Sequence, residues 1–395
     1  MAHAAAKRGA DVSSRAALVV GACALVLLTG NAERVGVSPF FEDFRALFGV
    51  DYAGAGALLS GYLFAYTLVQ VPAGMAADRW DPRRVATVGL VGLGLSALVL
   101  ALAPSYAVAL GARCAMGVCA GIIFPSVMKL AVAATRGHGL ALGVLESGKS
   151  LGTLAAVSAA PLLAQATSVS HALLGLALLP PLALLGLWLA VPASPPAGGG
   201  GQRMAVRELL GDRRFLRLAG LGFLILIVAY ASLGWLPTYA RTTLGLSRGE
   251  AGALMAVYTL VGFISAPLAG RLGDARKIHA PVLAFAAVAS ALACVLFLSN
   301  HIALVVVGCV LAGAGTTVSI PLLWALVAET VAPHQVGAAL GLGNTASQFA
   351  SASSGLLYGA LLDASGGSFA VIWVVAGALA LLLAAGALRC KPAYA

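Results

Sequence analysis

Twelve apolar stretches of about 20 residues each leave this chain few folds to choose from. They begin near residues 16, 53, 85, 106, 139, 170, 215, 250, 281, 302, 337 and 368. A helix needs roughly 20 apolar residues to cross the hydrocarbon core of a bilayer. Inside lipid every backbone N–H and C=O must find a partner within the protein, which leaves helices and closed barrels. Barrel strands alternate in polarity and run for only about 10 residues, so continuous apolar runs select a helical bundle. Composition agrees: 61% of the 395 residues are hydrophobic and 10% are charged, with a mean hydropathy of +0.97. That is too little polar surface for a soluble domain of this length. The fold class is therefore an all-α membrane protein with twelve transmembrane helices.

The net charge of +10 would suggest nucleic acid in a soluble protein. Here the basic residues first set the topology. Lys7, Arg8 and Arg15, then Arg79, Arg83, Arg84 and Arg136, then Arg203, Arg207, Arg213, Arg214 and Arg217, then Arg271, Arg276, Lys277, Arg389 and Lys391 fall on one side. The other side carries little beyond Arg45, Arg241 and Arg248, with Glu42, Asp43, Asp51 and Glu250 nearby. Both termini are thus expected in the cytoplasm of a multi-pass protein of the bacterial inner membrane, and no nucleic-acid partner is expected. The first apolar run is too long for a signal-peptide core, so it is kept as a spanning helix. The six cysteines show no metal or CxxC spacing and read as small core residues.

One connection stands out. Residues 192–214, "PASPPAGGGGQRMAVRELLGDRR", are rich in Pro, Gly and charge and read as a cytoplasmic linker. They divide the chain into an N-terminal six-helix half, 1–191, and a C-terminal six-helix half, 215–395. The halves echo each other. "VPAGMAADRWDPRR" (71–84) returns as "PLAGRLGDARKIHA" (267–280), "LALGVLESG" (140–148) as "AALGLGNTA" (338–346), and "IIFPS" (122–126) as "VSIPL" (318–322). The offset is 196 to 198 residues. Two six-helix halves in parallel repeat are the layout of the major facilitator superfamily, with a substrate site between them near the midplane.

The loop after the second helix resembles that superfamily's cytoplasmic signature: Gly74, Asp78, Arg79, Arg83 and Arg84 supply its glycine, acid and basic cluster. The glycine would permit close helix contact, and Asp78 could cap a helix or pair with an arginine across the bundle. Such a latch would bias the inward and outward states; the alternative is a plain positive-inside loop. A narrower likeness lies in "ERVGVSPF", "GYLFAYTLVQVPAGMAADRWDPRRV", "RCAMGVCAGIIFPS", "ESGKSLG" and "YASLGWLPTYA". In order and spacing these patches resemble the anion:cation symporter family, whose members move sugar acids and other carboxylates, many with protons. The resemblance implies that Arg34 is the first-helix substrate arginine, Glu33 a first-helix acid, Tyr66 a tyrosine lining the site and Arg113 the fourth-helix arginine. Lys149 falls where some members have glutamine. Where members carry a fourth-helix glutamate for protons, this chain has Ala120.

Ionisable groups in spanning helices cost about 2.5–3.5 kcal/mol each on insertion scales and persist where they face a cavity or a partner. Here they are Glu33, Arg34, Arg113, Glu146 and Lys149. Arg34 and Arg113 both lie roughly 10 Å below the outer surface, where one ligand could meet both. Cations exceed acids by one, which an anion would balance, and arginine suits a bidentate grip on a carboxylate. Other arrangements remain open: Arg34 could pair with a neighbouring acid, Arg113 could bond carbonyls as structural glue, and Lys149 could pair with Glu146 at i, i+3. Neighbours on a helix diverge by about 100°, so Arg34 is expected to face the cavity while Glu33 faces a neighbouring helix and exchanges a proton. Glu146 is a second candidate for the proton. Tyr230 is the repeat-mate of Arg34, and Asn344 and Ser347 are the repeat-mates of Glu146 and Lys149. The second half would then read the rest of the substrate.

There is no Walker A motif, no histidine cluster and no nucleophile elbow, so no cofactor, metal or catalytic residue is expected. The sequence reads as a secondary transporter of a small organic anion with protons, working by alternating access, and as a monomer by the superfamily default. An exporter of hydrophobic compounds and a non-transporting membrane sensor are the alternatives.

Overall fold

The computed structural model describes residues 2–134, 138–192, 203–276, 278–332 and 335–390. It is 89% helical and shows no strand among the described residues. The elements are α1 (Ala2–Val35), α2 (Phe41–Phe48), α3 (Tyr52–Arg79), α4 (Pro82–Ala101), α5 (Tyr106–Ala134), α6 (His138–Leu154), α7 (Ala160–Ala166), α8 (Val169–Ala177), α9 (Leu179–Ala190), α10 (Arg203–Gly211), α11 (Arg213–Thr242), α12 (Arg248–Arg276), α13 (His279–Phe297), α14 (Ile302–Thr330), α15 (Val336–Ala364) and α16 (Ala370–Leu388). A single π turn, Ala155–Ala159, joins α6 to α7.

Ten segments among the described residues are long and apolar enough to cross a membrane. The two remaining arms of the expected twelve are α6–α7 and α15. Their lower hydropathy has a physical source. The first carries Glu146, Lys149, Ser150 and Thr153; the second carries Asn344, Thr345, Ser347, Gln348, Ser351, Ser353 and Ser354. Polar side chains are tolerated at membrane depth where they face a cavity or another helix. The expected linker departs from plain coil as well. Residues 203–211 form α10, which buries Leu209 against α11-side residues such as Phe215, and Glu208 accepts a 2.7 Å hydrogen bond from Gln335 Nε2.

Within the first half α1 packs on α5, α6 and α9, α3 on α5, and α4 on α5 and α8; within the second, α11 packs on α14, α15 and α16, and α13 on α14 and α16. The halves meet chiefly along α3 with α15, and along α12 with α6, α7 and the π turn between them. The end of the bundle opposite α10, the far end, is sealed by these crossings. Asp43 pairs with Arg241 Nη1 at 2.6 Å and also with Arg248. Asp363 accepts from the backbone N–H groups of Tyr52 (3.0 Å) and Ala53 (2.7 Å) at the start of α3, where a helix leaves its donors unpartnered and favours negative charge. A Cβ on Gly56 would overlap the carbonyl of Gly355, so α3 and α15 touch backbone to backbone there. At the linker end, by contrast, Cβ directions at Gly74 and Gly341 meet nothing within 4 Å.

Candidate functional site

A cavity of about 540 Å³, part of it open, lies between the halves. Arg34, Tyr66, Lys149 and Asn344 border it, with Asn31, Tyr62 and Gln348. Arg34 sits in the last turn of α1. Its Nη2 donates to Gln348 Oε1 at 2.8 Å, a bond that joins the two halves. Its Cζ stands 5.3 Å from the Tyr66 ring centroid and 5.6 Å from that of Tyr230, within cation–π range. No carboxylate pairs with Arg34 among the described residues, and its buried Nε has no hydrogen-bond partner.

Arg113 is placed at the level of Arg34 but takes a different task. It is fully buried and outside the cavity lining. Its Nε donates to Leu58 O (2.9 Å), Nη1 to Glu33 O (2.7 Å) and Nη2 to Arg34 O (2.9 Å). The carbonyls of Glu33 and Arg34 belong to the last turn of α1, where a helix runs out of its own donors. Arg113 therefore caps α1 from α5, complements the negative end of its dipole, and fixes the backbone from which Arg34 projects. Tyr62 covers its guanidinium at 4.6 Å.

Glu33 is 4% exposed and does not border the cavity; its Oε1 is buried without a hydrogen-bond partner. Glu146 lies at the exposed side of α6 and pairs with Lys149 Nζ at 2.8 Å, one helical turn away. Lys149 is held in place because Asn31 Nδ2 donates to its carbonyl at 2.9 Å. Ser347 faces away from the cavity: its Oγ donates to Gly343 O at 2.8 Å, and a Cβ on Gly222 of α11 would overlap it. Tyr230 is buried behind Arg34 and is not a lining residue.

Three polar lining residues, Asn31, Tyr62 and Gln348, are not singled out by the sequence. Gln348 follows Asn344 by four residues, which puts both on one helical face; that spacing was available as a signal. Asn31 precedes Arg34 by three and shares its face for the same reason.

Of the signature cluster, Gly74 does not provide close packing in this arrangement, since its Cβ direction is open. Its carbonyl accepts from Lys129 Nζ at 3.4 Å. Arg83 donates to Trp188 O at 3.0 Å and stacks 3.8 Å over the Trp188 ring, a contact within the first half. Arg79 and Arg84 are exposed. The side chain of Asp78 lies outside the described residues.

Comparison with known proteins gives this geometry a lineage. A relative from Oryza sativa subsp. japonica, "Probable anion transporter 6", is 26% identical over 386 residues, which cover 87% of this chain and 89% of the relative. "Probable galactarate/D-glucarate transporter GudP" of Pseudomonas putida is 23% identical, over 87% of this chain and 84% of its own length. In fold, the chain matches a bacterial homologue of the human lysosomal transporter Spinster in an inward-facing, unoccupied conformation. The TM-score is 0.77 at 15% identity, over 96% of this chain and 99% of that one. The sequence profile of the Major Facilitator Superfamily matches residues 22–354 and 240–394, and the chain belongs to that superfamily.

Proposed function

We propose that the chain is a secondary active transporter of a small organic anion, a carboxylate, moved together with protons by alternating access. The observation that carries this reading is Arg34. A half-buried guanidinium between the halves, with a neutral amide and two tyrosine rings as its neighbours, has no acidic partner among the described residues. An unbalanced charge partly withdrawn from water is costly, and a carboxylate arriving on the arginine fork offsets that cost with charge-assisted hydrogen bonds. The names of the relatives support an anion as cargo.

The rest of the site has roles consistent with this. Tyr66 and Asn344 border the ligand, Lys149 stands in reserve behind its pair with Glu146, and Tyr230 backs the arginine. Arg113 acts as a positioning residue. Glu33, buried without a hydrogen-bond partner on one carboxylate oxygen, is the group we assign to proton exchange. Ser347 would contribute through helix packing. Opening of the far end and closing of the linker end would carry the anion across. By the distribution of basic residues the linker end is cytoplasmic, in a bacterial inner membrane.

A thermal-shift panel on purified protein tests the reading, because a ligand that binds only the folded state raises the midpoint by mass action. Carboxylates are expected to raise it in the wild type and not in Arg34→Gln. A shift produced only by lipophilic cations, and equal in the variant, would favour an exporter of hydrophobic compounds.

A further inference from the structure

The cavity says more about its ligand than that it is an anion. Its walls are apolar over much of their area. Val26 and Leu27 from α1 and Ala120, Ile123 and Phe124 from α5 present carbon to the space beside Arg34 and Lys149. Ala120 stands where the resemblance to anion:cation symporters calls for a glutamate, so a position expected to be acidic is part of an apolar wall.

Several polar atoms on the lining are already engaged by the protein. Asn31 Nδ2 donates to Lys149 O (2.9 Å) and to Thr153 Oγ1 (2.5 Å), which uses both amide hydrogens. The Tyr62 hydroxyl donates to Gly30 O at 3.0 Å. Gln348 Oε1 accepts from Arg34 at 2.8 Å and from Ser351 at 3.3 Å. A polyhydroxylated ligand would give up water at every hydroxyl and find partners for only part of them. An apolar ring would give up little and gain contact with carbon.

Charge narrows the class further. Lys149 Nζ is already paired with Glu146 Oε1 at 2.8 Å, and Arg34 has no acidic partner among the described residues. The cavity therefore offers one uncompensated cation. A second carboxylate on the ligand would have to displace Glu146.

From this we infer that the substrate is a monocarboxylate with a ring-sized apolar body, such as an aromatic acid, whose carboxylate lies on Arg34 and whose ring lies against Ile123 and Phe124. The inference rests on the anion reading above and separates this chain from carriers of sugar acids.

The test is titration calorimetry on the purified full-length protein with five probes. These are benzoate, phenylacetate, gluconate, terephthalate and the neutral isostere benzamide, measured on the wild type, Arg34→Gln, Phe124→Ala and Glu146→Gln. Benzoate or phenylacetate should bind saturably, at least about tenfold tighter than gluconate or terephthalate, and benzamide should not bind. Phe124→Ala should weaken the aromatic acid and leave gluconate unchanged. Glu146→Gln, a change at an exposed side chain, should free Lys149 and tighten terephthalate several-fold.

Gluconate binding as tightly as the aromatic acids would overturn the apolar body while leaving an anion carrier standing. Terephthalate matching phenylacetate in the wild type would overturn the single charge. Benzamide matching benzoate, with Arg34→Gln unaffected, or no saturable binding by any probe, would overturn the anion reading and this inference with it.

Discussion

Arg34 and Arg113 carry the same charge on neighbouring helices and differ in burial and in where their donors point. Arg113 spends three donors on backbone carbonyls; Arg34 keeps donors for the cavity. Their substitutions should therefore separate. Arg113→Lys cannot reproduce the planar fork and leaves at least one buried carbonyl unpaired, at about 1–3 kcal/mol each. The thermal midpoint of the empty protein should fall, and aromatic-acid affinity should weaken, but less than in Arg34→Gln, because the end of α1 that carries Arg34 loses part of its support. Arg34→Gln removes an uncompensated, partly buried charge, so the empty protein should be at least as stable as the wild type. Ligand binding should weaken by about 2–5 kcal/mol, the range seen when one partner of a buried charge pair is truncated. Calorimetry on the two variants checks both. The sequence made the residue types and depths legible, but not the direction of each side chain. Ser347 and Gln348 are adjacent, and the 100° between them turns one toward α11 and the other into the cavity. Repeat matching selected Ser347 because it follows register and ignores this rotation.

Among the elements, the far-end closure joins α2 to α11 and α12, and α3 to α15. Asp43 bridges Arg241 and Arg248 with 16% of its side chain exposed. Even solvent-screened pairs contribute about 0.2–1 kcal/mol each, so losing both should shift the balance of open and closed far ends by at least roughly 2-fold. Spin labels at the exposed positions Leu47 and Ser365, in a background with the native cysteines replaced, should show a longer-distance population in Asp43→Asn. An unchanged distance distribution would mean that packing alone seals this end. Packing is the stronger constraint at Gly355, where any side chain would overlap Gly56 O or Ser60 Oγ. Gly355→Leu should hold the far end open and reduce transport at least about tenfold while the helical content is kept. None of this closure was legible beforehand. Hydropathy marks where a helix crosses the membrane; it does not say which state the bundle rests in, because that depends on contacts hundreds of residues apart.

For the molecule as a whole, the fold was the most legible part, since lipid leaves so few solutions for a chain of this hydropathy. Twelve apolar runs and an internal offset near 196 residues mark the superfamily's layout in the sequence alone. The arms that are hardest to recognise by apolar length, α6–α7 and α15, are also arms that carry polar groups to the cavity, as Lys149, Asn344 and Gln348 do. The same polarity that makes the site weakens the hydropathy signal. α10 was missed for a related reason: its nine residues are too short to read as a span, and the glycine-rich stretch before it read as linker.

Transport of a carboxylate, as proposed for this molecule, depends on Arg34 to hold it. The most direct test is uptake of radiolabelled benzoate into proteoliposomes under an imposed inward proton gradient, with the wild type, Arg34→Gln and Glu33→Gln side by side. Uptake above the protein-free background, driven by the gradient, is expected in the wild type. A loss of at least about 30-fold is expected in Arg34→Gln, the lower end of the affinity range above, and retained exchange without gradient-driven accumulation in Glu33→Gln. Equal uptake by the wild type and Arg34→Gln would rule out Arg34 as the carboxylate's anchor.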